Sequence, residues 1–231
     1  MHKVKFSKLY SRFCNQEYRE NFNNDYHDML NDIKNQNISL RIEDYVKVYP
    51  NFLSKNECKK IVNQVKTEKY IAKLSSSFTD LLRKGSAINI HSKNLKSLID
   101  DVLEKICKEV GKKYSEDVKP FYYAYGNKLD TYDCQFLQYD ENDFFRVHHD
   151  HYAENPNFSR LLSVCVYLND DYTGGNLDFP SINQSFKFNT GDVIVFPSHW
   201  MFYHGVAPIK SGVRYTLVVW LGVSTEQVPQ G

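Results

Sequence analysis

Four residues in the C-terminal third of the chain carry side chains suited to holding a metal ion and an anion: His148, Asp150, His204 and Arg214. Two imidazoles and one carboxylate are the ligand set that holds non-haem Fe(II) on one face and leaves its other positions open. Residues two apart on a strand point to the same face, so His148 and Asp150 can reach one ion. The four residues together indicate an oxygen-activating metal site that accepts a carboxylate-bearing cosubstrate.

Other histidines compete for the same role. His149 and His151 form a second pair two residues apart, but they supply no carboxylate, and three imidazoles would favour zinc or copper. His199 competes with His204, but it lies in a Pro-Ser turn where a surface position is the simpler interpretation. The pair that includes the carboxylate is favoured, and the alternative register stays open.

Arg214 stands in an otherwise apolar stretch, residues 213–221, on the same strand face as Thr216. A buried guanidinium without an anionic partner is very costly, and its fork can bind a carboxylate through two hydrogen bonds. The alternative to a bound cosubstrate is a structural salt bridge to a core acid such as Asp178 or Asp192. Both interpretations stay open.

The secondary-structure elements predicted to position these residues differ from one part of the chain to another. Residues 1–40 are polar and Asn-rich, which predicts an N-terminal extension, and residues 41–225 are predicted to form a single domain. A strand is predicted over 41–50. Helices are predicted over about 54–70, after a capping box formed by Ser54 and Glu57, and over about 95–114.

From about residue 120 to 222, short runs rich in Val, Tyr, Phe and Leu alternate with Gly, Asn, Asp and Pro. This texture predicts the strands of a jelly roll. The fold class is therefore α+β or mainly β, with the N-terminal helices packed on one sheet. The best-defined strands are predicted at 131–139, 144–149, 160–168, 176–179, 185–188, 192–196 and 213–221.

The amino-acid composition argues against two functional classes, nucleic-acid-binding proteins and membrane proteins. Hydrophobic residues make up 42% of the chain, and its formal charge of +1 gives no basic excess of the kind that duplex nucleic acid requires. No apolar leader and no stretch long enough to span a bilayer is visible. The sequence predicts a soluble, intracellular, cytoplasmic protein with no nucleic-acid or membrane partner. Free thiols are expected for its scattered cysteines, Cys14, Cys58, Cys107, Cys134 and Cys165.

Taken in order, the motifs resemble those of the Fe(II)/2-oxoglutarate-dependent dioxygenases, most closely the prolyl 4-hydroxylase-like group. The nine-residue step from Tyr139 selects His148 rather than His149 as the family's ligand. One departure is the loop after Tyr139, where the family often has Gly and this chain has Asn142 and Asp143; Asn tolerates positive φ. The matching stretches are VYPNFLSKNECKKIV (48–62), residues 139–150, RLLSVCVYLND (160–170), TGGNLDFP (173–180), GDVIVFPS (191–198), HGVAPI (204–209) and GVRYTLVVWL (212–221).

The resemblance implies a double-stranded β-helix and assigns a role to each matching residue. Fe(II) would be bound by His148, Asp150 and His204. The distal carboxylate of 2-oxoglutarate would be bound by Arg214 and Thr216 and reached by the Tyr167 hydroxyl, with Tyr139 beside it in the cavity. Arg160 and Trp220 match positions that line the substrate side in some hydroxylases.

The reaction implied is hydroxylation of a prolyl residue in a peptide or protein, with 2-oxoglutarate and O₂ converted to succinate and CO₂. Ascorbate enters as a further candidate cofactor. The polar segments 73–94 and 151–159 are candidates for loops that flank a peptide groove. The same chemistry on a free amino acid or other small molecule is the alternative, and a non-catalytic jelly-roll binding module is the alternative from another class.

Overall fold

The computed structural model describes residues 27–35, 41–67, 72–73, 82–89, 96–126, 129–151 and 160–222. The predicted extension, 1–40, lies mostly outside the described residues, although its residues 27–34 are helical. Most of the candidate groove loops, 73–94 and 151–159, lie outside them as well. The roles of these segments and the boundary between extension and domain therefore stay predictions.

The segment 41–50 is only in part the predicted strand. Its first half is a short 3-10 helix, Ile42–Tyr45, and only Lys47–Tyr49 forms a strand, β1. The Arg41 guanidinium donates to Glu43 Oε1 at 2.8 Å, which closes a local turn. Two acids in the first turn favour the helical conformation further, because backbone N–H groups are exposed there. The prediction of a continuous strand was wrong for this half.

The first long helix, α1 (Lys55–Thr67), begins at the predicted capping box. The Ser54 backbone N–H donates to Glu57 Oε2 at 2.7 Å, and the Glu57 N–H donates back to Ser54 Oγ at 3.2 Å. Two otherwise unpaired N–H groups are thereby satisfied. The face of α1 turned to the protein interior is the predicted one, formed by Cys58, Ile61, Val62 and Val65.

The second helical region is longer than predicted. It runs through α2 (Lys96–Lys105), a π-helical turn (Ile106–Val110) and α3 (Gly111–Asp117), and α4 (Lys119–Tyr125) follows directly. The prediction that strands begin at about residue 120 was therefore wrong. Pro120 lies in the first turn of α4, where its missing N–H costs nothing. Phe121 packs edge-on against the buried Tyr114 at 5.3 Å, which favours the helix over a strand.

Two antiparallel sheets form the jelly roll. The strands after β1 are β2 (Ala72–Lys73), β3 (Arg83–Lys84), β4 (Ser86–Asn89), β5 (Asp130–Tyr139), β6 (Phe144–His148), β7 (Leu162–Tyr167), β8 (Thr173–Gly174), β9 (Leu177–Phe179), β10 (Gln184–Phe186), β11 (Val193–Pro197), β12 (His204–Val206), β13 (Ile209–Ser211) and β14 (Arg214–Gly222). The larger sheet has the strand order β1-β11-β7-β14-β5-β4-β2, the smaller has β10-β9-β12-β6-β3, and β13 pairs with β8.

Strand β14 separates two cores, because its side chains alternate between the faces of the larger sheet. Leu217 and Val219 are fully buried on the helix side, and each contributes roughly 1.5–3 kcal/mol by leaving water. Val218 and Trp220 point the other way, into an aromatic core between the two sheets. The helices thus cover one face of the larger sheet, as predicted, and the other face is free to line a site. No helix in the described part of the chain is long and apolar enough to cross a membrane.

A glycine lets the β8 and β13 strands lie close to each other. Gly174 has φ +73°, and a Cβ at this position would lie 2.4 Å from the Pro208 carbonyl oxygen. Any larger residue would therefore have to push β13 away. Gly126 also has a positive φ, +68°, but a Cβ there would meet nothing within 4 Å.

We expect Gly174→Ala to lower the free energy of unfolding by more than Gly126→Ala does. The Gly126 variant suffers only backbone strain, on the order of 1–3 kcal/mol, whereas the Gly174 variant adds a steric displacement of β13. Denaturant titration of both variants measures the difference. An equal loss in the two proteins would show that the close approach of β8 and β13 contributes nothing.

Candidate metal and anion site

His148, Asp150 and His204 meet between the two sheets. Strands β6 and β12 pair in the register His148↔His204, so the two imidazoles lie side by side with ring centroids 4.4 Å apart. Asp150 Oδ1 lies 3.4 Å from His148 Nε2, and Asp150 Oδ2 lies 3.6 Å from His204 Nε2. One potential ligand atom from each residue lies within 4.8 Å of the others, which is close enough to surround a single ion.

Backbone carbonyls orient both rings in the same way. His148 Nδ1 lies 2.8 Å from the Arg146 oxygen, and His204 Nδ1 lies 3.0 Å from the Phe202 oxygen. A carbonyl oxygen can only accept, so each Nδ1 donates to it and each Nε2 faces Asp150. This is the orientation that metal-ligating histidines commonly have.

Two serines hold the carboxylate of Asp150 in place. Ser163 Oγ donates to Asp150 Oδ2 at 2.7 Å and lies 2.8 Å from Ser198 Oγ, while the Asp150 N–H donates to the Ser198 carbonyl at 3.0 Å. Sequence reasoning missed both serines. The signal for Ser163 was a polar residue within an apolar strand, where a hydroxyl needs a partner.

The electrostatics of the cluster suit a divalent cation. Burial alone would raise the pKa of Asp150, but His204, His148 and the Ser163 hydrogen bond outweigh it and hold that pKa well below its usual range. Burial lowers the pKa of His204 to about 4, even though Asp150 acts in the opposite direction. At neutral pH the carboxylate is therefore ionised and the His204 imidazole is neutral, as metal coordination requires.

Close strand packing and aromatic rings fix the distance between the two imidazoles. A Cβ at Gly205 would lie 2.9 Å from the Phe145 carbonyl oxygen on β6, so a larger residue at this position would separate the strands. The Phe145 ring stacks on His148 with centroids 3.6 Å apart, and the Phe196 ring meets His204 edge-on at 4.6 Å.

The competing histidines lie outside the cluster. The ring of His149 packs against Tyr203 at 5.7 Å, and the exposed His199 packs against Phe202 at 5.5 Å. His151 is also exposed. Among the described residues, the set that brings three potential ligands together is the one that includes the carboxylate.

Arg214 forms a second polar centre in the same cavity. Its side chain is 2% exposed, and its Nη2 donates to the Tyr167 hydroxyl at 3.0 Å. The other two nitrogens of its guanidinium and the Thr216 hydroxyl are buried without a hydrogen-bond partner in the described part of the chain. These orphaned donors converge on the cavity, so they fit a carboxylate ligand.

The salt bridge that could have explained Arg214 is not formed within the described residues. Asp178 Oδ1 accepts a hydrogen bond from Ser185 Oγ at 2.6 Å, and Asp192 Oδ1 accepts the Asn51 backbone N–H at 3.0 Å. Both carboxylates serve turns and strand ends elsewhere. The interpretation of Arg214 as the partner of a core acid therefore fails for these two candidates.

Two tyrosines enclose the guanidinium. The Arg214 guanidinium carbon lies 4.8 Å from the ring centroid of Tyr167 and 5.4 Å from that of Tyr139. Burial raises the pKa of Tyr167 well above its ordinary value, so the hydroxyl stays protonated. Because that hydroxyl already accepts from Arg214, its own proton is available to donate to an anion.

The His148–Asp150–His204 cluster and the pocket around Arg214 open into one cavity of about 250 Å³. Arg160 and Trp220 also line it, and the Arg160 guanidinium carbon lies 3.7 Å from the Trp220 ring centroid. Arg160 Nη2 approaches Asp133 Oδ2 at 3.7 Å. Eight of the nine predicted site residues line this cavity, and the ninth, Tyr167, is joined to them by its hydrogen bond with Arg214. The cavity also includes Arg83, which sequence reasoning missed because β3 joins β6 only through the fold.

Comparison with known proteins agrees with this architecture. Residues 134–222 match the family model of the 2OG-Fe(II) oxygenase superfamily. A protein of Acanthamoeba polyphaga mimivirus that carries the provisional name prolyl 4-hydroxylase is 23% identical over 190 residues, which cover 75% of this chain and 72% of the relative.

Two solved structures share the fold. The viral collagen prolyl hydroxylase of Paramecium bursaria Chlorella virus-1, in complex with 2-oxoglutarate, superposes with a TM-score of 0.59 at 21% identity and covers 78% of this chain and 96% of its own. A prolyl hydroxylase from Trichoplax adhaerens, in complex with a peptide fragment of the hypoxia inducible factor oxygen degradation domain, has a TM-score of 0.56 at 17% identity and covers 81% and 88%. Both likenesses show the jelly-roll fold.

The matched residues include every strand that carries the cluster and the buried arginine, from β5 to β14. Residues 134–222 therefore carry a 2OG-Fe(II) oxygenase domain, and this match, together with the similarity to a relative named as a prolyl 4-hydroxylase, supports a dioxygenase enzyme.

Proposed function

We propose that this dioxygenase hydroxylates a prolyl residue of a peptide or protein substrate. One observation carries the proposal: a single cavity of about 250 Å³ contains both the His-Asp-His cluster and a buried arginine whose donors lack a partner in the described residues. Such a cavity lies below the usual size range of pockets that enclose a whole drug-sized ligand. Beside a cosubstrate it suits one side chain presented by a longer chain that stays outside.

In this proposal His148, Asp150 and His204 hold Fe(II). The Arg214 guanidinium, the Thr216 hydroxyl and the Tyr167 hydroxyl bind the distal carboxylate of 2-oxoglutarate, with Tyr139 as one wall of that pocket. Bound iron supplies oxygen activation, so that 2-oxoglutarate and O₂ give succinate and CO₂ while one oxygen atom enters a C–H bond of the substrate.

The protein contributes orientation and a shielded cavity. Ser163 and Ser198 keep the Asp150 carboxylate turned toward both imidazoles, since their hydroxyls form a chain behind it. Arg160 stacks on Trp220, which lies farther along β14 than Arg214, and we assign both to the substrate side of the cavity. Relatives in the comparison support the prolyl substrate, because the two solved structures are named prolyl hydroxylases and one is bound to a peptide.

The decisive experiment supplies Fe(II), 2-oxoglutarate and air to the protein with a panel of prolyl peptides. We expect a gain of one oxygen atom on proline, detected by mass spectrometry, together with succinate formed in equal amount. A parallel panel of free amino acids tests the small-molecule alternative. Oxidation confined to that second panel would refute the peptide substrate, and no succinate with either panel would favour a binding module. Repeating the assay with and without ascorbate tests the proposed dependence on that cofactor.

His204→Ala should abolish succinate formation and weaken Fe(II) binding, because the ion loses one of its three protein ligands. His149→Ala is the matched control, since this neighbouring imidazole packs against Tyr203 outside the cluster. Calorimetric titration with Fe(II) under nitrogen measures the affinity without any turnover. If the two variants lost affinity equally, the assigned register of the ligands would be wrong.

Arg214→Gln should raise the KM for 2-oxoglutarate roughly 10- to 100-fold, as expected for loss of charge-assisted hydrogen bonds worth about 1.5–3 kcal/mol. Binding of Fe(II) should persist, because Arg214 is not a metal ligand. Lys66→Gln is the control, since its ammonium lies 4.5 Å from the Tyr215 ring centroid on the helix side of the same strand. An unchanged KM in the Arg214 variant would mean that the guanidinium has only a structural role.

A further inference from the structure

Three arginines line the cavity, and they differ in the anionic groups available to neutralise them. Arg214 faces the proposed cosubstrate pocket, and Arg160 lies beside the Asp133 carboxylate. Arg83 has no acidic partner among the residues that the structure describes, and its Nε is shielded from water without a hydrogen-bond partner there. Of the three, Arg83 is therefore the cation that is paired neither with an acidic residue in the described part of the chain nor with the proposed cosubstrate.

Strand pairing and ring stacking hold Arg83 at the cavity wall. Strand β3 pairs with β6 in the register Arg83↔Phe145, and the guanidinium carbon lies 4.4 Å from the Phe145 ring centroid. The same ring stacks on His148, with centroids 3.6 Å apart. One aromatic ring is thus in contact with both the positive charge and a proposed metal ligand, so the guanidinium lies close to the proposed metal site.

A partly dehydrated guanidinium with an unused donor attracts an anion, and a carboxylate matches its planar fork. We propose that Arg83 forms an anion subsite of the substrate cavity and binds an Asp or Glu side chain close to the prolyl residue. This inference rests on the proposed function. The carboxylate of 2-oxoglutarate is a poorer candidate for this subsite, because Arg214, Thr216 and Tyr167 already provide a more deeply buried set of donors.

Prolyl peptides that differ only in Asp, Asn or Lys near the proline test the subsite. Their affinities are measured by fluorescence anisotropy with Fe(II) and 2-oxoglutarate under nitrogen, and their oxidation is measured separately in air. We expect the wild type to bind the Asp peptide about tenfold more tightly than the Asn peptide, as one charge-assisted hydrogen bond allows. Arg83→Gln should remove this preference, whereas Arg83→Lys should retain part of it.

Lys84→Gln is the matched control, because this cation is the next residue of β3 but points away from the cavity and pairs with Asp143 at 3.4 Å. The Lys84 variant should keep the wild-type preference. A wild type that binds Asp and Asn peptides equally would overturn the inference, even if Arg83→Gln failed to fold. An Asp preference that survives in a folded Arg83→Gln protein would overturn it as well.

The two proposals fail in distinguishable ways. If proline gained oxygen but the protein showed no preference for the Asp peptide, the anion subsite would be refuted and the proposed hydroxylation of proline would stand. An Asp preference that Arg83→Gln abolishes, with no oxygen gain on any peptide, would support the subsite and refute the reaction on proline.

Discussion

A buried positive charge is the constraint on which the rest of the site depends. Arg214 is almost wholly removed from water, and the carboxylates that could have neutralised it serve other parts of the fold. Burying a guanidinium without an anion costs several kcal/mol. The faces of two tyrosine rings and one phenol oxygen reduce that cost without cancelling it. A carboxylate bound here, as proposed for 2-oxoglutarate, would offset the remaining cost.

Side chains on β14 alternate between the two faces of the larger sheet, and this makes the buried Arg214 compatible with a stable fold. On one face the strand packs Leu217 and Val219 against the helices, where burial is complete and apolar. This packing anchors the strand so that its other face can carry Arg214 and Thr216. The cluster of histidines and Asp150 comes from the smaller sheet and its edges, so the reaction would take place where two separately stabilised layers face each other.

Much of this could be read from the sequence, and the failures have physical causes. Spacing within one strand predicted which side chains share a face, and the capping box predicted where α1 begins, because both are local properties. The positive φ of Asn142, +64°, also agrees with the turn predicted after Tyr139. By contrast, the aromatic residues of α4 suggested strands, and only the packing of Phe121 against Tyr114 selects a helix. Ser198 and Arg83 reach the site through strand pairs distant in sequence, which no local pattern reports.

The absence of a side chain at Gly205 has a consequence for the metal itself. Because β6 and β12 touch backbone to backbone beside His204, the gap between the two imidazoles is set by the spacing of hydrogen-bonded strands and not by flexible side chains. The backbone thus fixes the distance between the two imidazole rings. Asp150 lies beyond the end of β6, so its position depends on its contacts with Ser163 and Ser198 and not on strand pairing. A larger ion at the proposed site would have to displace this carboxylate against those contacts, while the two imidazole nitrogens keep their separation.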